Sequence, residues 1–154
     1  MSKKAATVLA LASFLVGPGI AEVSGQGQYA KYLSVADVQK VAGIAGVKMA
    51  PKTEEADGDL NFAREDGKVI LSASFYPASA FAGARSSKSG FKSMLKGVGE
   101  EAFVGPVEGP TLYILAFRKG NHTVVINTEL EDKGTPRLSL DQLTAIARLI
   151  ASRM

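Results

Sequence analysis

The chain has 154 residues, with 18 Lys and Arg against 15 Asp and Glu and no cysteine. A chain of this length buries roughly two-thirds of its unfolded surface, so one core needs no covalent staple, and the missing cysteine excludes disulfides and a cysteine-linked lipid anchor. Lys3 and Lys4 are the only charges among the first 21 residues, so residues 22–154 carry 16 bases against 15 acids, a balance without the polybasic character of a nucleic-acid binder.

The first 21 residues read as a secretory signal. Lys3 and Lys4 form a basic start, Ala5 to Val16 is apolar apart from Thr7 and Ser13, and Gly17-Pro18-Gly19 breaks the run ahead of the small residues Gly19 and Ala21. The run is shorter than the roughly 20 residues a membrane span needs. The expected product is periplasmic or secreted, without stable membrane insertion. Residues 22–31, with Gly25 and Gly27, read as a flexible leader, and 32–154 as one globular domain.

Within that domain, Ser34 and Asp37 have the spacing of a capping box, with Val35, Val38 and Val41 at helical intervals and Gly43 as the stop. Leu60 and Phe62 alternate with polar or small residues, Asp66-Gly67 supplies a tight turn, and Val69, Leu71, Ala73 and Phe75 alternate on the return, so this is a hairpin. Pro77 is expected to open a helical stretch to about Lys96, interrupted at Gly90. Leu112 to Phe117 is apolar on both faces, as in a central strand, and returns through Gly120-Asn121 into Thr123 to Glu129 as a second hairpin. Ser139 and Gln142 cap a last helix whose Leu140, Leu143, Ile146, Ala147 and Ile150 form an apolar face. The expected fold class is α+β, an antiparallel sheet built from two hairpins with helices packed on it.

The segment Gly97-Val98-Gly99-Glu100-Glu101-Ala102-Phe103, followed by a strand, the Lys119-Gly120 turn, a second strand and a Leu-rich last helix, resembles small exported bacterial proteins. The opening Leu33-Ser34-Val35-Ala36-Asp37-Val38 is similar to the start of the same domains. The resemblance covers roughly 32–154 and implies a Mog1/PsbP-like sandwich, a fold whose better-known members are binding and assembly factors. It transfers no catalytic residue, and fold alone does not fix function.

Side chains with possible chemistry are few. His122 is the single histidine; beside a turn and without cysteines it cannot build a standard zinc site, and its ordinary role there is a solvated polar side chain. Ser89-Gly90-Phe91-Lys92 and Ser93-Met94-Leu95-Lys96 match Ser-x-x-Lys, but the companion motifs of penicillin-recognising enzymes are missing. Gly97-Val98-Gly99 lacks the third glycine of a dinucleotide loop. Glu54, Glu55, Asp57 and Asp59, and more weakly Glu129, Glu131 and Asp132, are acidic without calcium-loop spacing. Arg85, Lys88, Lys92 and Lys96 recur at three and four residues, so an unbroken helix aligns them as a basic stripe able to dock an acidic protein partner, a phosphate group or an anionic surface.

The leading expectation is therefore an exported, non-catalytic binding or assembly module without a cofactor. A carrier of a small apolar ligand, seated against Tyr113, Leu115 and Phe117, comes second, and a small hydrolase using His122 third. N-terminal sequencing of exported protein is expected to begin at Glu22; a start at Ser2 would overturn the signal.

Overall fold

A computed structural model of the chain describes residues 27–50, 58–86, 93–106 and 113–154. The signal, the acidic residues Glu54, Glu55 and Asp57, and Lys88 and Lys92 lie outside the described residues. The elements run α1 (Val35–Ala42), β1 (Lys48–Met49), β2 (Asp59–Ala63), β3 (Val69–Pro77), α2 (Ala80–Ser86), β4 (Ser93–Met94), β5 (Glu101–Pro106), β6 (Tyr113–Lys119), β7 (His122–Asn127) and α3 (Leu140–Arg153). The class is α+β. The strands form one seven-stranded sheet in the order β1-β2-β3-β7-β6-β5-β4, with every neighbouring pair antiparallel.

The sheet is wider than two hairpins. The adjacent pairs β2–β3 and β6–β7 are joined side by side through β3 and β7, where Ser72 faces Asn127 and Pro77 faces His122. β5 extends the sheet beyond β6, and the two-residue strands β1 and β4 close its edges.

The helical stretch from Pro77 to Lys96 does not form as expected. Pro77 is the last residue of β3, opposite His122, a strand end where its missing N–H costs no ladder bond. Among the described residues the helix that follows spans Ala80–Ser86. Ser93 and Met94 pair instead with Val104 and Phe103, and the Leu95 amide donates to the Ala102 carbonyl at 2.9 Å. Helical spacing in this segment is overridden by the open edge of β5, which offers it a ladder.

The sheet register sorts side chains onto two faces. Leu60, Phe62, Leu71, Ala73, Phe75, Leu115, Phe117, Val124 and Ile126 share one face and are buried. α3 covers it with Leu143, Ile146, Ala147 and Ile150, all fully buried, while Asp141, Arg148 and Ser152 face water. The other face carries α2, whose Phe81 packs on Phe103 and Ala116 as a second, smaller cluster.

α1 lies beside α3, and polar contacts tie the pair at both ends. Both capping boxes form: the Asp37 amide donates to Ser34 Oγ at 3.2 Å, and the Gln142 amide to Ser139 Oγ at 3.2 Å. The Gln142 side chain does more. Its Oε1 accepts from the Ser139 amide at 2.8 Å, while its Nε2 donates to the Ala42 carbonyl at 3.0 Å, one of the carbonyls that the end of α1 leaves without an intrahelical donor. At the opposite end Arg153 donates to both Asp37 oxygens, at 2.6 and 2.9 Å, and to the Tyr32 carbonyl at 3.2 Å.

The chain is fixed to the sheet ahead of Tyr32. Tyr29 stacks on Phe75, with ring centroids 4.3 Å apart and planes 10° from parallel. Gly58 lets the two backbones approach closely beside this stack, since a Cβ there would meet the Phe75 carbonyl at 2.8 Å.

Leu143→Ala should destabilise the protein by about 2–5 kcal/mol, because a fully buried leucine leaves a cavity under the sheet; chemical denaturation measures it. A second expectation concerns acid. The bidentate Arg153 contact, aided by Ser34, holds the Asp37 carboxyl far below the usual carboxylate range. A carboxyl depressed on folding contributes stability that is complete above its unfolded pKa of about 3.9 and is lost as pH falls towards the folded value. The stability gap between wild type and Asp37→Asn should therefore be widest near neutral pH and close as pH drops through and below about 4, as urea unfolding at stepped pH would show.

Candidate functional site

The segment Gly97–Phe103 contributes to a groove on the surface. Gly97 and Gly99 both have positive φ, 74° and 55°, a backbone state costly for residues with a Cβ. The double reversal drives Val98 into the core, where it is 2% exposed. Gly99 also passes close to β6: a Cβ there would lie 2.4 Å from the Arg118 carbonyl. These glycines serve chain reversal and close approach, with strand β5 following them.

Glu100 then reaches across to the neighbouring turn. Its amide donates to the Arg118 carbonyl at 2.8 Å, its Oε1 accepts from the Gly120 amide at 3.0 Å, and its Oε2 lies 3.1 Å from Arg118 Nη1. The carboxylate thereby braces the turn between β6 and β7 and holds the Arg118 guanidinium. Glu101 stands opposite Arg118 in the β5–β6 ladder, with its oxygens 3.8 Å from Arg118 Nη2 and 3.9 Å from Arg85 Nη1. Two residues on, Phe103 meets Phe81 of α2, ring centroids 5.4 Å apart.

Between α2 and this end of β5 and β6 runs an open groove of about 580 Å³. Phe81, Ala78 and Ala82 give it an apolar floor, Ser79 and Ser86 add hydroxyls, and Arg85, Glu101 and Arg118 are its charged side chains. Arg85 is in the last turn of α2, with its side chain 55% exposed.

Of the basic stripe, Arg85 thus lines a groove. Lys96 is exposed and follows β4, so it does not share a helix with Arg85. The stripe on one continuous helix is corrected by the pairing of Ser93–Met94 with β5. Lys88 and Lys92 lie outside the described residues. Arg118 and Glu101 complete the wall; sequence spacing missed them because a strand register brings them to α2.

Other candidates resolve into structural contacts. His122 opens β7 opposite Pro77, its ring edge-on to Tyr29 at 6.3 Å; among the described residues no serine or carboxylate is hydrogen-bonded to the ring. Ser93 lies on the edge strand β4. Glu131 receives Arg64 at 2.6 Å, Asp132 lies 3.3 Å from Lys68 Nζ, and Glu129 accepts from Arg137 at 2.7 Å. Arg137, with its side chain 8% exposed, also donates to the Val69 carbonyl. These pairs fasten the loop after β7 to the β2–β3 turn. Among the described residues no cluster of three or more His, Cys, Asp or Glu could hold a metal ion, and no helix is long and apolar enough to cross a membrane.

No protein-family model and no curated protein matches the chain. Among solved structures, a GTP-binding regulator from Thermotoga maritima is similar over 79% of this chain and 90% of its own, at 11% identity and a TM-score of 0.39, a likeness too distant to argue from.

Gly99→Ala should cost about 2–4 kcal/mol, since strain at positive φ adds to a collision with backbone. Gly97→Ala, whose Cβ would meet only the Arg148 side chain at 4.0 Å, should cost about 1 kcal/mol from backbone strain alone. Denaturant midpoints of the two variants separate these outcomes.

Proposed function

We propose that this chain is an exported, non-catalytic binding or assembly module of the Mog1/PsbP-like kind, and that its protein partner docks in the groove beside α2. The observation that carries this reading is the groove itself. It joins an apolar floor to charged side chains carried by β5, β6 and α2, the combination of apolar centre and polar rim that recognition surfaces use. The resemblance at Gly97–Phe103 supports the same reading, because that motif shapes the groove's wall and carries no residue aimed at chemistry. A carrier of a small apolar ligand finds less support, since Leu115 and Phe117 are fully buried in the core that also contains Leu143, Ile146 and Ile150.

The test places a photoreactive amino acid at Ser86, on the groove, and separately at Ala145, exposed on α3, in the exporting cell. The expected outcome is a discrete protein adduct from position 86, recovered in the envelope or medium, and none from position 145. Adducts equal at both positions, or none from 86, would overturn groove docking.

A further inference from the structure

The loose geometry around Glu101 suggests what the groove receives. Its two ion pairs, at 3.8 and 3.9 Å, are about an ångström longer than the 2.7–2.9 Å typical of charge-assisted hydrogen bonds. Glu100, by contrast, is engaged by the Gly120 amide and by Arg118 Nη1 at 3.1 Å. Glu101 thus faces two guanidiniums across the groove that it does not fully satisfy. Among the described residues Arg85 has no other charged partner, and the side chains lining the groove carry two positive charges against one negative. The apolar floor of Ala78, Phe81 and Ala82 lies within the same groove.

We propose that the groove recognises an acidic segment of a partner protein, in which one Asp or Glu carboxylate bridges Arg85 and Arg118 while a neighbouring apolar side chain rests on Phe81 and Ala82. The proposal rests on the reading of the groove as a docking site and names the chemistry of its occupant. Guanidinium forks favour planar carboxylates, which accept two parallel N–H donors. Glu101 acts as an internal competitor: it holds the two arginines loosely, with solvent around them, in the free protein and yields them to a better-placed carboxylate. It follows that removing its charge strengthens binding, the reverse of what removing an ordinary contact residue does.

The experiment uses the whole mature protein and fluorescein-labelled peptides of alternating Leu and Glu, with Leu/Gln and Leu/Lys peptides as controls, read by anisotropy. The expected result is binding of the Leu/Glu peptide, weakened by added salt because the attraction is screened over about 8 Å at physiological ionic strength. Arg85→Gln and Arg118→Gln should each weaken it roughly three- to tenfold, and Glu101→Gln should tighten it roughly threefold. Arg118 also meets Glu100, so Arg118→Gln disturbs the frame; Arg85→Gln, at an exposed helix end, leaves the fold intact and decides the matter. Equal binding of Leu/Glu and Leu/Gln peptides, no binding of either, or weakening by Glu101→Gln would each overturn the proposal. If these peptide results fail while the cross-link at position 86 still yields a discrete adduct, the groove remains a docking site and only the acidic occupant is wrong.

Discussion

The ladder between β3 and β7 is the constraint on which the rest of the structure depends. It joins the half of the sheet made by β1–β3 to the half made by β4–β7, through six residue pairs from Ser72–Asn127 to Pro77–His122. The paired residues are roughly fifty positions apart in sequence. Closing that loop carries an entropic cost that local contacts do not offset, so the seam forms only when both halves bury apolar faces at once. It places Ala73 and Phe75 beside Ile126 and Val124, which makes one continuous surface for α3 to cover. Thr128, just past the seam, fastens it with a single hydroxyl: Oγ1 donates to the Ile70 carbonyl at 2.7 Å and accepts from the Leu138 amide at 3.1 Å. A threonine buried on both counts satisfies two backbone groups where the chain leaves the sheet for α3.

The groove is a by-product of the same seam. Because β7 returns to β3, the connection out of β3 must cross one face of the sheet to reach the far edge, and α2 is that crossing. The groove lies where the crossing helix meets the ends of β5 and β6. Its frame is held by Glu100, the Gly120 turn and the Phe81–Phe103 contact, while the charged pairs inside it are long and partly solvated. Braced walls with loosely committed side chains would keep the reorganisation cost small for the docking proposed above.

What the sequence showed and what it hid divide along the range of the interactions. The caps at Ser34–Asp37 and Ser139–Gln142 are local, with side chain and amide three residues apart, and spacing alone displayed them. The apolar face of α3 and the alternation of β2 and β3 were legible for the same reason. Ser93–Met94 carried a helix-compatible pattern, and only a neighbour, β5, made it a strand. β1 is two residues long and has no period to read. In the groove, Arg85 stood out as a member of a basic repeat. Glu101 and Arg118 did not, because a strand register rather than sequence spacing sets their meeting.

The amide of Gln142 has a consequence for how this fold breathes. Helix ends commonly fray one at a time, each opening at little cost to the other. Here one side chain accepts from the start of α3 and donates to the last turn of α1, so the two ends are linked through it beside their own caps. Opening either one breaks the Nε2 bond that the two ends share. Local unfolding at this corner is therefore coupled, by that bond, between two helices far apart in the chain.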